Sequence, residues 1–349
     1  MRARAATANE PPAWLGRTFL HPVIDYLAIG GLLSLTLAVV IVATGETALL
    51  PIAAVHALVL FSNSAHFASS TVRLYCKPVA RETWPLVTTL LPAATLVAVG
   101  LCLAFADLLG RHATALYLTW SPYHYAAQAY GLAVMYAYRS GCRLGARDKH
   151  VLKAVALLPF VHALFVGRGV GADWLLPEAW QANETYQAAV AWLRHGLPVI
   201  AVVAIAAAVV EIRRSTGRML PLISLLTIVS NGVWFFVLAP LQAFLWATIF
   251  HGLQYLVIVA VFHTRDQLAR PDNRRPGWQH ALGFYATSLL LGYLLFQCVP
   301  LGFVAAGFGP VESVLITVAA INVHHFIVDG FIWKLRRDAG NRRTVEAAT

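Results

Sequence analysis

Ten long apolar runs divide the sequence and constrain its fold more than any other feature. A membrane-spanning helix needs about 20 mostly apolar residues, because backbone polar groups cannot stay unpaired in hydrocarbon and a helix pairs them internally. Charged residues make up only 12% of the chain, about half the share typical of soluble domains. The runs predict ten transmembrane helices, at residues 23–43, 49–71, 84–108, 113–138, 151–167, 191–211, 219–237, 241–263, 278–300 and 311–333.

The distribution of basic residues predicts the orientation of these helices. Short cytoplasmic loops retain Lys and Arg, and an arrangement with the amino terminus inside places 23 of the 26 basic residues on the inner side. Arg111, Arg168 and Arg194 are the exceptions. We expect an all-α polytopic membrane bundle with both termini in the cytoplasm. Its parts are a cytoplasmic segment at 1–22, the transmembrane bundle at 23–333 and a basic tail at 334–349.

The same placement explains the net charge of +10 without a nucleic-acid partner. The predicted partner is the lipid bilayer, and the predicted location is the bacterial inner membrane, where the chain would cross several times.

Histidines recur inside the apolar runs, with a polar side chain about one helical turn away. Such side chains are costly in a bilayer and usually face a bundle interior, where they serve a function. The groups are Asn63 with His66, His124 with Gln128, His251 with Gln254, and His325 with Asn322 and Asp329. His56 would share the face of Asn63 and His66 in a regular helix. His21 and Asp25 repeat the four-residue spacing near the first run.

This repetition predicts a metal site built from several helices. Imidazole is the commonest protein metal ligand, and a ligating histidine usually donates its other N–H to a carboxylate, amide or carbonyl group. The predicted ligands are His66, His124, His251, His325, His324 and His21. The groups predicted to orient them are Asn63, Gln128, Gln254, Asp329 and Asp25. In an alternative interpretation, these side chains only form interhelical hydrogen bonds.

The ligand types indicate a transition metal. Neutral nitrogen and oxygen ligands suit iron(II), zinc or copper. We favour iron, which could react with dioxygen beside a lipid-soluble substrate, and leave zinc, copper and haem open. The aromatic residues predicted to line the substrate cavity are Tyr123, Tyr125, Tyr130 and Tyr255.

Three short stretches resemble the Brp/Blh-type membrane β-carotene dioxygenases. His21-Pro-Val-Ile-Asp25 is similar to that family's HxxxD near the first span, while His66-Phe67 and His325-Phe326-Ile-Val-Asp329 are similar to its HF-containing helix. The resemblance implies a non-haem iron enzyme of the membrane with several histidine ligands. It implies that class of enzyme rather than carotene as the substrate.

The leading hypothesis is therefore a membrane-embedded, oxygenase-like metal oxidoreductase that acts on a lipophilic small molecule. Two alternatives use the same residues. In a proton- or metal-coupled transporter, the histidines, Asp25 and Asp329 would relay protons or pass metal ions. In a b-type cytochrome, two of the histidines would ligate haem.

Overall fold

The structure is a computed structural model that describes residues 12–45, 50–77, 80–168, 171–333 and 339–346. No strand occurs within these ranges, and the predicted all-helical bundle is confirmed. The helices in chain order are α1 Pro22–Ile29, α2 Leu32–Thr44, α3 Ile52–Cys76, α4 Leu86–Ala104, α5 Arg111–Arg139, α6 Ala146–Val166, α7 Glu184–Thr216, α8 Leu222–Val237, α9 Pro240–Leu268, α10 Gly277–Ala305, α11 Pro310–Ile332 and α12 Ala339–Glu346. Short helical turns at Ala80–Thr83, Asp173–Leu175 and Glu178–Gln181 lie in the connections.

Seven of the described helices are long and apolar enough to cross a membrane. They are α3, α4, α6, α7, α9, α10 and α11. A bend of 48° separates α1 from α2, which pass the same test only as a pair. The bend contains Gly31, whose φ of 77° favours glycine, and a Cβ there would collide with the side chain of Ser230. The chain is a multi-pass integral membrane protein.

Two further helices coincide with predicted spans but fall outside that set. α5 is 29 residues long and carries many polar side chains among its apolar ones. α8 is apolar but has only 16 residues. Both helices bury a large part of their surface in the bundle, which lets α5 carry polar residues that lipid would not tolerate.

α3 is not a regular helix. A π-helical segment, Val59–Ser64, separates its two α-helical parts. The wider turn changes which side chains share a face, so His56 is exposed while Asn63 and His66 are buried. The prediction that all three share one face is therefore wrong, since it assumed 3.6 residues per turn throughout.

The two ends of the described chain pack against one end of the bundle, called here the basic end because Arg73, Arg139 and Arg265 lie there. Phe19 is buried in the core beside α5 and α9, and Val345 of α12 joins the same apolar cluster. Of the predicted terminal segments, residues 1–11, 334–338 and 347–349 lie outside the described residues. Phe19 and Val345 thus anchor the described parts of both segments to the bundle.

Candidate metal centre

Four histidines from four helices meet in the interior of the bundle. They are His66 of α3, His124 of α5, His251 of α9 and His325 of α11, each at most 8% exposed. The ring centroid of His66 is 4.8 Å from that of His251 and 4.4 Å from that of His325. His124 lies 5.0 Å from both His251 and His325. The helices thus bring together side chains that are far apart in sequence.

Asp329 adds a carboxylate to this group. The Nε2 atoms of His124 and His325 are 3.2 Å apart, and Asp329 Oδ2 is 3.8 Å and 3.5 Å from them, respectively. Two nitrogens bound to one ion at about 2.0–2.1 Å would lie roughly 3–3.4 Å apart. The spacing of the two imidazoles is therefore that of neighbouring ligands.

A second triad shares His124. His66, His124 and His251 each offer a ring nitrogen, and these atoms lie within 4.8 Å of one another. The same limit holds for His124, His325 and Asp329. A centre held by all five residues would use His124 as the common member.

The hydrogen bonding of the histidines provides a test of whether a metal fits. Both ring nitrogens of His66 and of His251 are buried and have no hydrogen-bond partner among the described residues. An unsatisfied buried polar group costs about 1–3 kcal/mol, and each neutral imidazole has one donor and one acceptor to satisfy. A cation would accept the one lone pair of each ring, which satisfies one of its two nitrogens. The residues present fit a bound metal ion.

Ser70 contacts His325 on the side away from the group. Its Oγ lies 2.9 Å from His325 Nδ1 and donates to the backbone oxygen of Phe67 at 3.0 Å. When the serine hydroxyl donates to Phe67, Oγ is left to accept an Nδ1–H of His325. The lone pair of that ring is then on Nε2, which faces His124 and Asp329. The sequence pattern of Asn, Gln and Asp partners does not include this serine, which lies four residues after His66.

Tyr255 holds Asp329 rather than lining an open cavity. Its hydroxyl donates to Asp329 Oδ1 at 2.5 Å and accepts from Trp333 Nε1 at 3.3 Å. Its ring centroid is 4.5 Å from that of His66. Asp329 was predicted to orient a histidine, and the geometry also makes it a candidate ligand through Oδ2.

The predicted amide partners bond to the backbone and to each other. Gln128 Nε2 donates to Gln254 Oε1 at 2.9 Å and to the carbonyl oxygen of His251 at 3.3 Å, and Gln254 Nε2 donates to the carbonyl of Ile29 at 2.5 Å. Asn63 Oδ1 is buried without a partner among the described residues. The structure corrects the predicted role of the two glutamines: one-turn spacing put them near the rings, but their N–H groups donate to backbone carbonyls and, in Gln128, also to the other glutamine.

Three predicted residues lie apart from the group. His324 turns to α4, where its Nδ1 is 3.0 Å from Thr95 Oγ1, because successive residues of a helix point about 100° apart. His21 is exposed, and its Nδ1 accepts from the backbone N–H of Val23 at the start of α1. Asp25 accepts from the backbone N–H of Phe19 and from the hydroxyl of Tyr136, at 2.5 and 2.8 Å. Its carboxylate positions the amino-terminal segment.

The four tyrosines divide in the same way. Tyr125 contacts the group, with its ring centroid 4.3 Å from that of His251 and its hydroxyl 2.6 Å from Thr248 Oγ1. Tyr123 packs on Phe160, and Tyr130 packs against the apolar cluster of α6 and the last part of α7. Only Tyr125 and Tyr255 of the predicted four pack against the histidines among the described contacts.

A small polar cavity of about 10 Å³ adjoins the group. Its volume is sufficient for about one water molecule. His251 and Phe250 line one side of it, and the polar groups around it are Ser34, Ser230, Asn231 and Gln254.

Comparisons with protein-family models, with curated proteins and with solved structures find no match for the chain. The resemblance to the carotene dioxygenases therefore depends on its short stretches alone and stays a prediction. Of their residues, His66, His325 and Asp329 lie in the histidine group, whereas His21 and Asp25 lie outside it.

Proposed function

We propose that the protein is a metal-dependent oxidoreductase of the membrane, oxygenase-like and with non-haem iron, that acts on a lipophilic substrate. One observation carries the proposal. Four buried histidines and an aspartate converge from four helices, and all four ring nitrogens of His66 and His251 are without a hydrogen-bond partner among the described residues. Burying such a group in a membrane protein is costly, and groups of this kind usually mark a functional site.

The residues would act as follows. His66, His124, His251 and His325 would hold the metal, with the carboxylate of Asp329 as a further ligand. Bound iron(II) would supply redox chemistry toward dioxygen, for which nitrogen and carboxylate ligands are suited. Ser70 would keep the proton of His325 on Nδ1, and Tyr255 fixes one oxygen of Asp329.

Aromatic side chains surround part of this group. The ring of Phe326 stacks on His124 at 4.4 Å, and Phe67 contacts both His66 and His325, at 4.5 and 4.9 Å between ring centroids. The polar cavity beside His251 would admit a molecule of the size of water or dioxygen. A lipophilic substrate is larger, so it would reach the centre only by displacing side chains between the helices.

Ten spans with both termini in the cytoplasm are part of the proposal. α5 and α8 would cross the membrane inside the bundle, where their polar or short character is compensated by neighbours, and α1 with α2 would form one bent span. The basic end would face the cytoplasm of a bacterial inner membrane, because nearly all Lys and Arg residues lie in the segments that this orientation places there.

Elemental analysis of the detergent-purified protein, with optical and paramagnetic-resonance spectra, tests the function. We expect stoichiometric iron in the parent chain, loss of metal in His325→Ala, and normal metal content in the matched control His324→Ala, whose ring contacts Thr95 instead. A parent chain without stoichiometric metal would overturn the proposal. A Soret band would indicate haem, and metal flux in proteoliposomes with transient occupancy would indicate a transporter.

A further inference from the structure

A second cavity lies at the end of the bundle opposite to the basic end. It has a volume of about 400 Å³ and is formed where α6 and α8 end and α9 begins, with α7 alongside. This volume is within the range of small-molecule sites, about 300–1,000 Å³. Ala243 lines it and precedes His251 by eight residues on α9, about 12 Å along the helix. The cavity is therefore separate from the histidine group.

Basic side chains occupy one side of this cavity. Arg194 and His195 of α7 line it and are exposed. His162 of α6 also lines it and is only 7% exposed; its ring interacts with the backbone of Arg194, while its Nε2 atom has no hydrogen-bond partner among the described residues. No Asp or Glu belongs to the lining in the part of the chain that the structure describes. The polar part of the cavity would attract an anion.

The rest of the cavity is apolar. Phe235, Val166 and Ala243 are buried side chains of its lining, and the ring of Phe236 lies 5.2 Å from that of His162. A ligand that satisfied both parts would need a charged group at one end and a hydrocarbon portion at the other.

The position of Arg194 fits such a ligand. It is one of the three basic residues that lie outside the segments predicted to face the cytoplasm. Trp192, two residues earlier on α7, is 62% exposed, and tryptophans are enriched where a membrane meets water. The headgroups of amphiphiles lie at this depth, with their chains directed into the hydrocarbon.

We propose that this cavity binds a single-chain anionic amphiphile of the fatty-acid type. Its carboxylate would pair with Arg194 and accept from His195, and its chain would pack on Phe235 and Phe236. A volume of about 400 Å³ accommodates one chain, whereas a phospholipid would have to leave its second chain outside.

Binding of laurate to the purified full-length protein tests this inference, with methyl laurate and dilauroyl phosphatidylglycerol as comparison probes. We expect about one laurate per chain, and roughly tenfold weaker binding in Arg194→Gln, which corresponds to about 1.4 kcal/mol. The matched control is Arg214→Gln, which removes the same charge from the other end of α7. Methyl laurate should bind more weakly and be insensitive to Arg194→Gln.

Two further variants make the test decisive, one in the cavity and one in the histidine group. His195→Phe retains an aromatic ring but removes the N–H that would donate to the carboxylate, and it should weaken laurate binding several-fold. His325→Ala should bind laurate like the parent chain, so failure of the metal proposal would leave this result unaffected. Equal laurate affinity in Arg194→Gln and Arg214→Gln would overturn the inference. The single-chain assignment would be overturned if the phospholipid bound in a way that depends on Arg194 and laurate did not compete with it.

Discussion

The imidazole of His325 is held from both sides. Ser70 Oγ contacts Nδ1 at 2.9 Å, while Nε2 faces His124 and the carboxylate of Asp329. By contrast, His66 and His251 have aromatic neighbours but no hydrogen bond at either nitrogen among the described residues. One ring is thus oriented by the protein alone, and the other two would gain polar partners only from a ligand.

Replacing the hydroxyl that orients His325 should weaken metal binding. We expect Ser70→Ala to lower the affinity for iron(II) by about 10- to 100-fold, the usual effect of losing a group that orients a ligating histidine. Titration of the purified protein against a competing chelator measures this. Ser69→Ala is the matched control, because Ser69 Oγ donates to the backbone oxygen of His66 and contacts no ring through its hydrogen bond. Equal affinities in the two variants would contradict the assigned role of Ser70.

Three helices approach one another closely at the π-helical segment of α3. On α9, a Cβ at Gly252 would lie 3.1 Å from the backbone of Ser62. On α10, a Cβ at Gly292 would lie 2.5 Å from the carbonyl oxygen of Ser64. Glycine permits this approach because it has no side chain. The contact brings His251, which precedes Gly252, beside His66, which follows Ser64 by two residues.

Adding a methyl group at this contact should separate the helices. In Gly292→Ala the new Cβ meets backbone, which cannot rotate away, so we expect a loss of about 1–3 kcal/mol in the free energy of unfolding together with reduced metal content. Thermal unfolding in detergent and elemental analysis measure the two effects. Gly283→Ala on the same helix is the control, since nothing lies within 4 Å of its Cβ position. Similar melting temperatures for both variants would refute the close approach.

Hydropathy was sufficient to predict the helices, because each apolar run coincides with one described helix or with the bent pair. The histidines with a polar neighbour one turn away included the four central ones, since such residues in a membrane helix usually face the interior, but the same pattern also selected His324 and His21, which lie apart. The partners of the central four could not be predicted in the same way. Spacing along one helix does not reveal that Ser70 of α3 reaches His325 of α11, or that Gln254 bonds to Ile29. The π-helical segment was equally hidden, and it moved His56 out of the predicted face.

The basic end of the molecule shows that the arginines outside the apolar runs also have structural roles. Arg139 donates to the carbonyl oxygens of Thr18 and Thr344, and Arg265 donates to those of Phe19 and Thr344. These two arginines, from α5 and α9, therefore connect the amino-terminal segment with α12. Counting charges along the sequence predicted on which side of the membrane they lie, but long-range contacts with backbone carbonyls have no sequence pattern.

Arg73 of α3 belongs to the same assembly. It is 1% exposed, with Nη2 3.2 Å from Asp266 Oδ2 and 2.7 Å from Asn341 Oδ1. Its guanidinium lies over the rings of Phe262 and Trp333. A buried charge is tolerated only when it is paired and hydrogen-bonded. α12 provides part of that pairing, so the carboxyl-terminal helix contributes to the stability of the whole bundle.

Removing the amide of Asn341 should therefore destabilise the bundle from its basic end. Asn341 accepts from Arg73 and donates through Nδ2 to the carbonyl oxygen of Ile332 at 2.9 Å. In Asn341→Ala both bonds are lost and a buried charge is left with fewer partners, so we expect a loss of about 1–3 kcal/mol in the free energy of unfolding. The control is Arg342→Ala, whose exposed side chain on the same helix should contribute within about 0.5 kcal/mol. Thermal unfolding in detergent distinguishes them: if Asn341→Ala melts at the temperature of Arg342→Ala, α12 does not stabilise the bundle through Arg73.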